Sequence, residues 1–214
     1  MNIHVITVGR YQDEKNWPEI WKLCYNSLIK TGYNISIWKD KDVEELLKED
    51  DNEFYENYLS KLDIIYQIDY VRYIILGKYG GAYFDMDVEL KVNFLQWLDP
   101  SKVYLAEGEG NCLVNNHIMI SPNDHIFWYN IRQNLKYRLI ERFDKCKKNG
   151  YYTIETLGPI GLSYVLAKEK MFYTPLSRYH FGGEETNLRF CIHHYTNEWS
   201  KVLPKPFIDF NLVG

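Results

Sequence analysis

Asp69 and Arg72, three residues apart, precede a run Tyr79-Gly80-Gly81-Ala82-Tyr83-Phe84-Asp85-Met86-Asp87 that adds two more carboxylates. From Ala82 to Glu89 the residues alternate, with Ala82, Phe84, Met86 and Val88 on one side and Tyr83, Asp85, Asp87 and Glu89 on the other. The pattern predicts a strand over 82–89 with three carboxylates along one face. Same-face neighbours on an extended chain lie roughly 6–7 Å apart, so their charges repel unless water or a cation intervenes. A hard divalent cation takes oxygen ligands, holds one or two protein carboxylates, and completes its shell with water and substrate phosphates. This residue set therefore suits metal-assisted chemistry on a phosphate-bearing substrate. The plainer alternative is an edge strand with a solvated acidic face, because Asp-x-Asp alone is a common pattern.

The segment feeding this strand reads as a helix over 61–78. Ile64, Ile68, Val71 and Ile75 recur at helical spacing, and Leu62, Ile65 and Leu76 widen the apolar surface until the helix is largely buried. Asp69 and Arg72 are close enough on it to pair, but a surface pair contributes only about 0.2–0.5 kcal/mol. Charges in so apolar a helix are better explained by a polar ligand. Gly80-Gly81 ends the helix as C-terminal glycines do, leaving room for close approach to the backbone.

Asp69-x-x-Arg72, the Tyr-Gly-Gly-x-Tyr-x-Asp-x-Asp run and their spacing resemble the Asp-x-Asp sugar-binding region of family 32 glycosyltransferases. That family includes capsular-polysaccharide transferases and mannosyltransferases, and the same spacing occurs in the glucosylating domain of clostridial toxins. Three more stretches are similar: Ile35-Ser36-Ile37-Trp38-Lys39-Asp40, Thr156-Leu157-Gly158-Pro159, and Ile192-His193-His194-Tyr195-Thr196-Asn197-Glu198-Trp199. Two departures stand out. The opening Asn2-Ile3-His4-Val5-Ile6-Thr7-Val8-Gly9 lacks the family's tryptophan, and Glu198 replaces its serine.

The resemblance implies a single-domain α/β fold over 1–214, of the GT-A nucleotide-sugar-binding type with a mainly parallel central sheet. It implies transfer of a sugar, with retention, from a nucleotide-diphosphate donor, a UDP-sugar being favoured. The acceptor would be a hydroxyl of a glycan or lipid-linked glycan, as in capsule synthesis. Mn²⁺ or Mg²⁺ would be the cofactor, with Asp87 a direct ligand, Asp85 reaching the ion through water or contacting the donor's ribose, and His194 the second protein ligand. Asp69, Arg72, Asp85 and Asp87 would be the catalytic set. Thr7, Val8, Asp69, Arg72, Tyr83, Asp85 and Trp199 would bind the donor, Trp199 through its indole N–H. Two rival readings are a metal-dependent hydrolase or phosphatase and a non-catalytic sugar-binding module. Neither accounts for all the motifs: the first leaves Asp69-x-x-Arg72 unexplained, and the second has little use for Asp87 and His194 together.

Composition narrows the remaining possibilities. The 214 residues suffice for one domain with a substantial core, without a linker, low-complexity tract or repeat. Ile3 to Val8 is too short and lacks the flanks of a signal peptide, so it is expected to be a buried first strand. No run approaches the ~20 apolar residues of a membrane span, and a cytoplasmic location is expected, with a peripheral place at a membrane's inner face as the alternative. Cys24, Cys112, Cys146 and Cys191 are dispersed, which favours free thiols over a zinc site or disulfide framework.

The expected element order is strand 2–8, helix 17–31, strand 33–38, helix 42–49, helix 61–78, strand 82–89, strands near 102–106 and 117–121, helices 124–145 and 160–169, then an irregular tail. In such α/β sheets ligands bind beyond the carboxyl ends of the strands. Charge is uneven. Acids dominate 40–63, whereas Arg132, Lys136, Arg138, Arg142, Lys145, Lys147 and Lys148 outnumber Glu141 and Asp144. The basic helix, 124–148, is expected to pack on the sheet, with membrane-surface contact as the alternative. The chain's net charge of −4 and lack of a recognised binding motif argue against nucleic acid as a partner.

Overall fold

The computed structural model describes residues 1–108, 110, 112–150, 152–181, 189–196 and 198. Its centre is a six-stranded sheet in the order β2-β1-β3-β6-β5-β7, formed by β1 (Asn2–Ile6), β2 (Asn34–Trp38), β3 (Gly81–Phe84), β5 (Tyr104–Glu107), β6 (Val114–Ser121) and β7 (Thr174–Leu176). Five strands run the same way, and β6 opposes both its neighbours. The mainly parallel α/β architecture expected from the alternation of strands and helices is what the chain adopts.

Alternation along the strands sorts the core into two layers. Ile3, Val5, Ala82, Phe84, Ile118 and Ile120 join one apolar cluster with Leu28 of α1 (Glu19–Ile29), while Ile6, Tyr83, Leu105 and Met119 join the other. The second layer is helical. It contains α2 (Asp40–Asn57), α3 (Ile64–Tyr79), α4 (Ile126–Cys146), α5 (Tyr152–Thr156) and α6 (Pro159–Lys168). Helix α3 is buried nearly all round, from Tyr70 through Leu76 without interruption, as its apolar sequence requires. It stops at Gly80, whose φ of 61° lies in the left-handed region, and a Cβ there would come within 2.4 Å of the Asn123 backbone nitrogen.

Two expectations need correction here. The strand expected over 82–89 breaks at its acidic centre. The Asp85 amide still donates to the His117 carbonyl at 2.9 Å, but the Val88 amide then donates to the Asp85 carbonyl at 3.1 Å, closing a turn. Beyond it β4 (Val88–Leu90) leaves the main sheet and pairs antiparallel with β8 (Cys191–His193). The three carboxylates thus do not share a strand face. The tail expected to be irregular also holds β7, α7 (Arg178–Phe181) and β8, elements of three or four residues that are too short to show a period.

The uneven charge has a structural outlet. Helix α2 continues past 49, kinks at Asp51, and brings Asp50 and Asp51 to Arg132 and Lys136 of α4 as ion pairs. Arg142 of the same helix meets Glu155 at 3.4 Å. No helix among the described residues is long and apolar enough to cross a membrane, and all four cysteines are free thiols.

Candidate active site

The switch in strand order falls at β1, whose two neighbours follow it in sequence on opposite sides. Because β1 and β3 are parallel, with Ile3 opposite Ala82 and His4 opposite Tyr83, the residues after β1 and the Asp85 turn emerge at one end of the sheet. A crevice for ligands is expected at this place in an open α/β sheet. Thr7 and Val8 lie there. The Thr7 amide donates to the Trp38 carbonyl at 2.9 Å, and its hydroxyl is buried without a hydrogen-bond partner among the described residues.

Behind Asp85 at this end of the sheet lies a buried polar network. The Arg72 guanidinium meets Asp69 at 3.0 Å and Asp85 at 3.3 Å, donates to the Asn116 carbonyl at 3.1 Å, and stacks over the Tyr83 ring 4.9 Å from its centroid. Asp69 is enclosed: Asn116 donates to one carboxylate oxygen at 3.1 Å and the Thr153 hydroxyl to the other at 2.7 Å. Burial pushes the Asp69 carboxyl up, against the pull of Arg72 and of these hydrogen bonds. Burial opposes the Arg72 charge too, but Tyr83, Asp85 and Asp69 outweigh it and keep the guanidinium protonated. The Tyr83 phenol, raised well above its ordinary value by burial, stays protonated and donates to Asp85 at 2.6 Å. Asp69, Arg72, Tyr83 and Asp85 thus come together, with Asp85 the most accessible of the three charged groups.

The other half of the site is built on the small sheet. Asp87 receives the Thr196 amide and hydroxyl, both at 2.9 Å, on one oxygen and faces His193 Nε2 at 3.2 Å with the other. Burial would raise the Asp87 carboxyl, but His193 and Thr196 hold it down at about 2. Asp85, Asp87 and His193 each offer one ligand atom, all within 4.8 Å of one another. Two carboxylates and an imidazole suit a divalent cation, and the second nitrogen of His193 is buried without a partner among the described residues. The residues present therefore fit the cation that the acidic motif calls for.

The structure does not bring His194 to this cluster. Its backbone amide bonds the Asp87 carbonyl at 2.9 Å, while its ring meets Glu89 at 3.1 Å. In β8 His193 opposes Val88, and alternation sends consecutive side chains to opposite sides, so only one of the paired histidines can face the Asp-x-Asp turn. Trp199 lies outside the described residues. Asn116, Thr153, His117 and Thr196 are parts of the site that sequence reasoning passed over. Thr153 sits three residues before the Thr156-Leu157-Gly158-Pro159 motif, and the motif's own Thr156 is fully buried beside Cys146 Sγ instead. A Cβ on Gly158 would lie 3.2 Å from an Asp69 oxygen, so the motif's glycine is the residue that borders the network.

Residues 18–104 match the profile of a family described as a glycosyltransferase sugar-binding region containing a DXD motif. By this stretch the chain resembles the DXD glycosyltransferases. The glycosyltransferase match runs from α1 to the start of β5 and includes Asp69, Arg72, Asp85 and Asp87. Among curated relatives, inositol phosphoceramide mannosyltransferase 1 of Schizosaccharomyces pombe is 27% identical over 161 residues, which are 72% of this chain and 49% of that protein. A mannosyl phosphorylinositol ceramide synthase of Saccharomyces cerevisiae is 27% identical over 164 residues, 75% of this chain and 40% of that one. The chain therefore spans at most about half the length of these relatives. In fold it is similar to the PaToxG glycosyltransferase, with a TM-score of 0.53 and 18% identity over 78% of this chain and 69% of that one.

Proposed function

We propose that this chain is an active, metal-dependent glycosyltransferase that moves a sugar from a nucleotide-diphosphate sugar to a hydroxyl of a glycan or lipid-linked acceptor, with retention at the anomeric carbon. The observation that carries the reading is the convergence of Asp85, Asp87 and His193 beside the Arg72–Tyr83 pair at the carboxyl end of the sheet. Leaving-group charge is the electrostatic problem in such a transfer, since negative charge gathers on the diphosphate while the sugar ring becomes oxocarbenium-like. A divalent cation, Mn²⁺ or Mg²⁺, would be held by Asp85, Asp87 and His193 and would supply Lewis-acid stabilisation of the diphosphate.

The chain's own residues do the rest. Arg72, held charged and fixed by Asp69, Asp85 and the Tyr83 ring, is buried behind Asp85 and holds that more accessible carboxylate in place. Asp85 faces the sugar side of the turn and Asp87 the tail side, so the two carboxylates divide orientation of the donor from anchorage of β8. Fixing the sugar in this way brings its anomeric carbon to the acceptor in a reactive orientation. The names of the fungal relatives make mannose the first sugar to test and an inositol-phosphate lipid headgroup an acceptor to set beside surface glycans.

The test is incubation of the full chain with Mn²⁺ and a panel of UDP- and GDP-sugars without acceptor. Slow release of free nucleoside diphosphate from one donor is expected, and it should vanish in Asp87→Asn. Release of inorganic phosphate would favour a phosphatase, and donor binding without turnover in any acceptor mixture would favour a sugar-binding module.

A further inference from the structure

His117 of β6 has no part in the chemistry described so far. It is 2% exposed, and its ring lies nearly parallel to that of His193, with centroids 4.3 Å apart and planes 17° apart. Tyr195 covers His193 from its own segment, 3.9 Å between centroids. His193 is thus flanked by two rings while its Nε2 points at Asp87. Among the hydrogen bonds of the described residues, His117 Nε2 has one weak contact, 3.3 Å to the Phe181 carbonyl, and Nδ1 has none. A buried imidazole with one nitrogen unpartnered carries a desolvation cost that an apolar residue of the same shape would avoid. The unusual contact it makes is through its flat face.

Imidazole ligands of a metal are ordinarily oriented by a hydrogen bond from the second ring nitrogen to a carboxylate, carbonyl or water. Among the described residues His193 has no such partner on Nδ1. From the aromatic packing we infer that His117 is a positioning residue that takes over this job by stacking, holding the plane of His193 so that Nε2 meets a divalent cation shared with Asp85 and Asp87. The role belongs to the ring's face and not to its nitrogens. It rests on the reading of Asp85, Asp87 and His193 as a cation site, and it concerns a residue that contacts neither the ion nor the donor.

The experiment is a titration of Mn²⁺ alone into the full chain, with free Mn²⁺ followed by electron paramagnetic resonance and folding by thermal melting. His117→Phe keeps a flat ring and His117→Leu fills the space without one. His117→Phe should bind Mn²⁺ within about twofold of wild type, and His117→Leu should bind roughly tenfold or more weakly, the range seen when outer partners of metal ligands are removed, while both melt cooperatively. Equal affinity in His117→Leu would reduce the stack to core packing. An equally weakened His117→Phe would show that the nitrogens matter instead, and would also overturn the inference. A wild-type chain that leaves all Mn²⁺ free would fail the cation-site reading itself, and the positioning role with it. If His117→Leu does not fold, Tyr195→Leu removes the opposite ring and is expected to weaken Mn²⁺ in the same sense, with unchanged affinity there counting against the flanking rings.

Discussion

Truncating Asp87 to alanine would leave the Thr196 amide, the Thr196 hydroxyl and His193 without their shared acceptor. Sequence alone suggests that neutralising one of several crowded carboxylates relieves repulsion, but here Asp87 also anchors the tail. Each buried donor left unsatisfied costs about 1–3 kcal/mol, so Asp87→Ala should lose both Mn²⁺ binding and tail docking. Limited proteolysis would show it as faster cleavage after residue 190, whereas unchanged cleavage would mean that Thr196 finds another acceptor. Asp69 carries a comparable double role. With its carboxylate gone Arg72 keeps only Asp85 as an ionic partner, and breaking a buried pair from one side costs about 3–5 kcal/mol. Asp69→Ala should therefore lower the unfolding midpoint in urea as well as activity. A variant of full stability without transfer would instead place Asp69 against the sugar.

Elements show which parts of this arrangement were written in local sequence. The buried helix α3, the start of β3 at Gly81, and the amphipathic α4 are long or strongly patterned, so periodicity finds them to within a few residues. The turn at Asp85 was hidden because alternation of polar and apolar residues continues unbroken through it, from Ala82 to Glu89. Only the departure of β4 to β8, a partner about a hundred residues away, reveals the break. Choice between His193 and His194 has the same origin, since it depends on the register of that distant pairing. Thr153 was missed because it bonds Asp69 across 84 residues and belongs to no motif. Thr153→Val should weaken donor turnover and cost about 1–3 kcal/mol through the Asp69 oxygen it orphans, while Thr156→Val, whose hydroxyl meets a cysteine sulphur among the described residues, should leave turnover near wild type. Paired kinetics and melts would separate the two threonines, and equal effects would deny Thr153 its place in the network.

For the molecule as a whole, one source of pH sensitivity lies on the β1 strand. The Trp38 indole donates to His4 Nδ1 at 3.2 Å, so the neutral ring's proton is on Nε2, which donates to the Gly80 carbonyl at 2.9 Å. Burial holds this histidine below its ordinary value. The unfolded chain therefore binds more protons than the folded one as pH falls past about 6.5. Stability from this group is complete above that pH and declines as the solution is acidified toward the folded-state value. His4→Gln should flatten the dependence of melting temperature on pH between about 7 and 5, and a slope equal to that of wild type would assign the acid sensitivity to other groups.

The division of the proposed cation ligands between the Asp85–Asp87 turn and β8 also sets an order of events in synthesis. All six strands of the main sheet, and Asp85 and Asp87 with them, are in the chain before β8. Domains begin to fold as they emerge, so a nascent chain can hold its central sheet while its third ligand is still being made. A chain stopped after residue 190 should accordingly form the six-stranded sheet yet leave Mn²⁺ in solution. Competence for the donor arrives only when His193 and Thr196 leave the ribosome and close onto Asp87.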